Sequence, residues 1–305
     1  PGDTIIVPAF TYVATVEAAA LLGINVVLVD VDFATFNLDC TQIEKAITPK
    51  TKAIVPVHLF GQCSNMNEVM KIAIKYNVAV IEDNAQALGA HYKYKNSQST
   101  MAGTIGTIGT TSFFPSKNLG CYGDGGALFT NDDDLAKKIK MIANHGQAKK
   151  YYHDVIGVNS RLDTIQAAIL NVKLPHLDSY IEKRQQAAKL YTELLGVNEY
   201  FTTPIISTDG THVFHQYTLQ ITTANAVETR DALKAFLLEK GIPCMIYYPV
   251  PLYDQPAFAP FWKGGKLPVT EALRASVFSL PMHSEMTDEI LAEITEAVKT
   301  FFEQR

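Results

Sequence analysis

Short apolar runs alternating with amphipathic helical segments constrain this chain more than any other feature. Residues 4–7, 26–29, 53–57 and 79–81 are brief Ile-, Val- and Ala-rich runs of strand character. Between them, residues 11–22 are rich in Ala and Leu and are closed by Gly23, which predicts a helix. Thr41-x-x-Glu44 reads as a capping box opening a short helix. Residues 66–76 place apolar side chains at 66, 69, 70, 73 and 74, one face of another helix. Buried strands alternating with helices predict an α/β fold with a mostly parallel sheet flanked by helices. Ligands then belong at the carboxyl ends of the strands, where Phe10, Tyr12, Asp83 and Gln86 lie.

Residues 132–145 read as a helix, and a long helical region runs from Asp163 to about residue 195 with a kink at Pro175. Gly, Asn, Thr and Pro then accumulate over 196–210, a boundary composition. Beyond it the pattern predicts a strand at 213–221, a helix at 227–240 ended by Gly241, and a strand at 244–248. A Pro-rich stretch at 249–260 and an amphipathic helix at 287–302 complete the chain. The expected organisation is a large domain over 1–195 and a small α+β domain over 196–305. The Gly-Thr-Ile repetition at 103–110 reads as a local expansion of a loop.

Lys117 is the residue with the most chemistry around it. It is the single lysine of a Gly-rich stretch, 111–127, and is set among Phe113, Phe114, Leu119 and Tyr122. A desolvated lysine has a lowered pKa and becomes a nucleophile toward carbonyls. Upstream, the apolar run at 78–81 ends in Glu82 and Asp83, followed by Asn84-Ala-Gln86. A strand-end carboxylate and a loop lysine are what a pyridoxal phosphate site requires: the lysine forms the Schiff base and the acid holds the pyridine nitrogen protonated.

Asp83-x-x-Gln86, Ser112-Phe-Phe-Pro-Ser-Lys-Asn-Leu-Gly120, Gly123-Asp-Gly-Gly126 and Gly157-Val-Asn-Ser-Arg-Leu-Asp163 occur in this order. Together they resemble the DegT/DnrJ/EryC1/StrS family of pyridoxal-phosphate-dependent nucleotide-sugar aminotransferases, of fold type I. The resemblance runs along nearly the whole chain. It implies that Lys117 is the catalytic lysine and proton shuttle, Asp83 the pyridinium partner and Gln86 a contact to the ring oxygen. Tyr12 would stack on the pyridine face and Ser112 would donate to the phosphate. Asn159 would reach the phosphate from the neighbouring subunit, which implies a homodimer with shared sites. Arg161 could meet an acidic group on the sugar or on the L-glutamate donor. Tyr247-Tyr248-Pro-Val-Pro251 matches a substrate-binding motif that usually begins His-Tyr-Pro, so Tyr247 stands where the family has histidine. His215 and His283 read as structural, and His58, at a strand end, could face the site.

The wording of these motifs looks closest to the branch acting on UDP-linked 3-keto N-acetyl sugar uronates, with dTDP-linked 3- or 4-keto-6-deoxy sugars still open. Such a role implies cell-surface polysaccharide biosynthesis, O-antigen included. A sugar 3-dehydratase of the same fold would carry histidine in place of Lys117. A non-catalytic sugar-nucleotide-binding or regulatory protein on the same scaffold is the remaining alternative. No GxGxxG follows the first strand, which argues against a nicotinamide enzyme. In the resembled family Pro1-Gly-Asp3 sits well inside the chain, so a preceding segment with a small-residue turn for the cofactor phosphate is expected.

Composition narrows the partners. With 305 residues, 47% hydrophobic, the chain can bury a large core. A net charge of −5 with scattered basic residues argues against nucleic acid. No run approaches the length of a membrane-spanning helix. Cys40, Cys63, Cys121 and Cys244 lie far apart with no CxxC, which argues against a zinc site or a disulfide framework and fits a reducing cytoplasm.

Overall fold

The computed structural model describes residues 1–304. From the N-terminus, β1 (Thr4–Pro8) leads into α1 (Ala14–Leu21), β2 (Asn25–Val29), α2 (Cys40–Ala46), β3 (Thr51–Ile54), α3 (Met66–Tyr76) and β4 (Ala79–Asp83). A hairpin of β5 (His91–Lys93) and β6 (Ser99–Met101) follows, then β7 (Ile108–Ser112), β8 (Gly126–Phe129) and α4 (Asp133–Ile142). A second hairpin, β9 (Gln147–Lys149) and β10 (Tyr152–His153), precedes α5 (Thr164–Lys173) and α6 (Leu177–Leu195). The remainder comprises β11 (Phe201–Thr202), β12 (Tyr217–Ile221), α7 (Ala226–Glu239), α8 (Pro268–Ser276), β13 (Val277–Leu280) and α9 (Asp288–Glu303).

The principal sheet has the order β2-β1-β3-β4-β7-β8. Its pairs are parallel except β7 with β8. β1 is buried at every residue because successive side chains enter different cores. Ile6 packs with Ile43, Val69 and Ile72 of α2 and α3, whereas Ile5 and Val7 pack with Val16 and Ala19 of α1. The direction of strand succession reverses between β1 and β3, so a crevice opens at their carboxyl ends. A smaller antiparallel sheet, β11-β12-β13, shares a core with α6, α7 and α9 through Tyr191, Leu219, Leu233, Phe278 and Val298. α6 serves both regions: Leu177 and Ile181 belong to the core of the large sheet, and Ala187 to Leu195 to that of the small one.

Several local expectations are corrected. α2 is capped by Asp39 rather than by Thr41, because the Asp39 carboxylate accepts the Thr41 backbone N–H at 2.9 Å and the Thr41 hydroxyl at 2.7 Å. α1 starts at Ala14, three residues later than the composition suggests. No strand forms over 244–248: Pro243 and Pro249 flank the segment, and only Met245 pairs, with Ser279. β13 supplies the missing sheet edge, and α8 before it has a remote anchor. The buried Asp30 carboxylate accepts the Val269 and Thr270 backbone N–H groups at 2.8 Å each and the Thr270 hydroxyl at 2.7 Å.

Residues 103–106 are a tight wrap around Glu82, and 108–110 continue into β7. The Glu82 carboxylate accepts backbone N–H groups from Gly103 at 2.8 Å, Ile105 at 2.7 Å and Gly106 at 2.6 Å. His58 Nδ1 accepts the Ser64 N–H at 3.1 Å, so its Nε2 carries the proton donated to Glu82 at 2.9 Å. His58 is therefore a buried partner of Glu82 and does not face the crevice.

Candidate active site

A cavity of about 370 Å³ lies between α1 and the carboxyl ends of the sheet strands. Tyr12, Asp83, Gln86, Ser112 and Lys117, five of the side chains singled out from the sequence, all line it. Asp83 is the last residue of β4 and Ser112 the last of β7, whose register sets Asp83 opposite Thr110. Tyr12 comes from the turn after β1, lines the cavity and is 58% exposed.

Lys117 is delivered by a loop closed on itself. Its own N–H bonds the Phe114 carbonyl at 2.9 Å, the Cys121 N–H bonds that of Phe113 at 2.8 Å, and the Phe113 N–H bonds that of Gly125 at 2.8 Å. Asn118 donates to the Val213 carbonyl at 3.1 Å, and Lys173 of α5 donates to the Gly120 carbonyl. A Cβ on Gly120 would overlap the Pro115 carbonyl oxygen, so the turn requires glycine there. Burial pushes the Lys117 amine below the ordinary lysine range, and the Asp83 carboxylate opposes that shift. Buried His215 is driven well below the usual histidine range by desolvation, with the Lys117 and Arg184 charges adding to it.

Asp83 accepts the Thr15 hydroxyl at 2.6 Å and the Ala85 backbone N–H at 3.1 Å. Two carboxylate oxygens offer about four acceptor positions, so room remains for another donor. Gln86 accepts the Phe60 N–H at 2.7 Å and donates to the Tyr248 hydroxyl at 3.1 Å. Tyr248 is half-buried, and its ring lies against those of Phe10, Tyr12 and Tyr247. Burial raises its phenol pKa, as it does that of Tyr247. Asn159 and Arg161 are not brought to this cavity: both are exposed, and the Arg161 guanidinium bonds the Asn159 side chain at 3.0 Å. Thr11 and Thr15 also line the site and were not singled out from the sequence. The Thr15–Asp83 contact spans 68 residues and leaves no local trace in the chain.

Residues 1–299 match the DegT/DnrJ/EryC1/StrS aminotransferase family. The chain belongs to this family. It is 48% identical over 305 residues to the pleiotropic regulatory protein of Geobacillus stearothermophilus, covering 99% of this chain and 79% of that one. Over 286 residues it is also 48% identical to UDP-2-acetamido-2-deoxy-3-oxo-D-glucuronate aminotransferase of Pseudomonas aeruginosa, covering 93% of this chain and 75% of the relative. NtdA of Bacillus subtilis, solved with bound cofactor PMP, superposes with a TM-score of 0.88 at 32% identity, covering 100% of this chain and 68% of the other. The fold is that of the pyridoxal-phosphate-dependent sugar aminotransferases.

The cavity fits that cofactor by its chemistry. It offers an amine for a carbonyl carbon, a carboxylate with acceptor capacity for a ring N–H, an exposed aromatic side chain and a strand-end hydroxyl for a phosphate. Among the described residues, no group of three or more His, Cys, Asp or Glu is placed to hold a metal ion.

Proposed function

We propose that the protein moves an amino group from L-glutamate to a nucleotide-linked keto-sugar, a 3-oxo sugar being favoured, using pyridoxal phosphate. The observation that carries the reading is a desolvated Lys117 sharing one cavity with the Asp83 carboxylate at the carboxyl ends of parallel strands. The cofactor supplies an electron sink for the carbanion that proton removal leaves behind. Lys117 would supply the nucleophile that holds the cofactor and an amine able to carry a proton to and from the reacting carbon. Asp83 would hold the ring nitrogen's proton, Tyr12 would cover the ring face, Ser112 would bind the phosphate, and Gln86 would hold the ring oxygen. Tyr247 and Tyr248 contact the sugar nucleotide. The 48% identity to a UDP-3-oxo-glucuronate aminotransferase favours that substrate class. Cell-surface polysaccharide formation, O-antigen included, is the role we propose with it.

A homodimer with shared sites belongs to the same reading. Asn159 and Arg161 lie outside the cavity of their own chain, on a segment exposing Ile156, Val158 and Ile165. There Asn159 would serve the partner's cofactor phosphate, and Arg161 an acidic group of substrate or donor. Among the described residues no helix is long and apolar enough to cross a membrane. We place the protein in the cytoplasm, a reading supported by its four unpaired cysteines.

Equal identity to a protein named as a regulator favours one second reading, a sugar-nucleotide-binding regulator. Absorbance spectra of the protein loaded with pyridoxal phosphate, before and after L-glutamate, separate the two. A visible band that glutamate bleaches, and that Lys117→Ala does not form, is the expected result. No lysine-dependent band would overturn the aminotransferase reading and favour the regulator.

A further inference from the structure

We infer that Thr15 is the positioning residue that fixes the Asp83 carboxylate for the cofactor ring, locking α1 to the end of β4 as it does so. The inference rests on the aminotransferase reading above. The Thr15 hydroxyl donates to Asp83 Oδ2 at 2.6 Å, shorter than the bond from the Ala85 N–H at 3.1 Å. A hydroxyl has one proton, and Thr15 spends it on the carboxylate; its remaining oxygen lone pairs face Thr11 Oγ1 at 3.4 Å. Both threonines line the cavity, and Thr11 is fully enclosed.

Two consequences follow from this placement. Each Asp83 oxygen has one protein donor, Oδ2 from a helix and Oδ1 from its own turn, so rotation of the carboxyl plane breaks both bonds at once. Thr15 also sits three residues after Tyr12, on the element that follows the stacking residue, so one hydrogen bond joins the segment facing the ring to the strand holding its nitrogen. Val13 provides no side-chain cap for α1, and Ala14 to Leu21 spans little more than two turns. Among the hydrogen bonds that α1 side chains make, the bond to Asp83 is the one that reaches the sheet.

The test measures the dissociation constant of pyridoxal phosphate and the wavelength of its bound absorbance band. It compares wild type, Thr15→Val, Thr15→Ala, Thr15→Ser, Asp83→Asn and the Thr15→Val/Asp83→Asn double variant. Loss of a hydrogen bond to a charged group should weaken cofactor binding about 10-fold in Thr15→Val, with a shifted band. Thr15→Ala carries the same expectation, so the question stays answerable if the valine variant does not fold. Thr15→Ser should return to within about twofold of wild type, since it keeps the donor. In the Asp83→Asn background, Thr15→Val should add no further loss. Variants that match wild type in affinity and band position would overturn the inference. So would an equal loss with and without Asp83, which would assign Thr15 to packing alone. Wild-type protein that takes up no cofactor would overturn the aminotransferase reading, and this inference with it.

Discussion

Lys117 differs from a surface lysine because of where the loop puts it. An amine taken out of water holds its proton less tightly, and burial here outweighs the opposing Asp83 charge. Without cofactor, Lys117 should therefore acetylate at a lower pH than surface lysines, read by mass spectrometry of the modified peptide. Asp83→Asn removes the opposing charge and should lower that midpoint further; a Lys117 midpoint at or above that of the surface lysines would count against the argument. Glu82, one residue before Asp83, is the contrasting case. Burial alone would raise its pKa, but the His58 bond and the N–H groups of Gly106 and Gly103 outweigh it and hold the carboxyl below the usual glutamate range. A depressed folded pKa means that the stability it contributes is present above the unfolded value and is lost as pH falls through the folded one. Glu82→Gln should cost roughly 2–4 kcal/mol at neutral pH, because buried charge-assisted bonds are lost. Denaturant titrations should show the difference starting to shrink below about pH 4, where glutamate begins to protonate in the unfolded chain, and closing only once pH has fallen below the lowered folded value.

At the scale of elements, the glycines around β4 and β7 record how closely the backbones approach. A Cβ on Gly109 would overlap the Gly103 carbonyl oxygen, and one on Gly106 would lie 2.8 Å from that of Val80. The wrap at 103–106 thus packs on β4 and β7 at backbone distance while it cages Glu82. Gly109→Ala should force the wrap off the sheet and destabilise the protein by roughly 3 kcal/mol or more. Because β7 carries Ser112 and leads to Lys117, that variant should also release bound cofactor at a lower temperature than wild type. An unchanged Tm for Gly109→Ala would refute the close-packing account.

At the scale of the whole molecule, we propose the division into a large domain over 1–195 and a small one over 196–305, with α6 packing into both cores. Limited proteolysis should first cut within 196–210 and leave a large N-terminal fragment; a first cut inside α6 would refute the division. The shared-site dimer makes a sharper prediction. Lys117→Ala and Asn159→Ala proteins should each be far less active than wild type, and mixing them under exchange should restore activity. Random pairing makes half of the dimers mixed with one intact site in each, about a quarter of the wild-type sites. No restoration in the mixture would place Asn159 outside the partner's site.

The sequence by itself determined the alternation of strands and helices, the loop that carries Lys117 and the acid at the end of β4. Those features are written locally, in apolar periodicity, glycine placement and the order of short motifs. α3 spans the residues its periodicity marks, and α9 begins after its Thr287 cap. Tertiary structure alone decided what joins those pieces. Asp30 anchors α8 across 240 residues, Thr15 reaches Asp83 across 68, and Glu82 gathers a repeat that reads as a loose loop. Asp30 and Glu82 are buried and Thr15 and Asp83 partly so, and a polar group withdrawn from water needs a partner wherever the fold brings one, at whatever separation along the chain. The same limit applies to Asn159 and Arg161: their motif is local, whereas the site they are proposed to complete belongs to another copy of the chain.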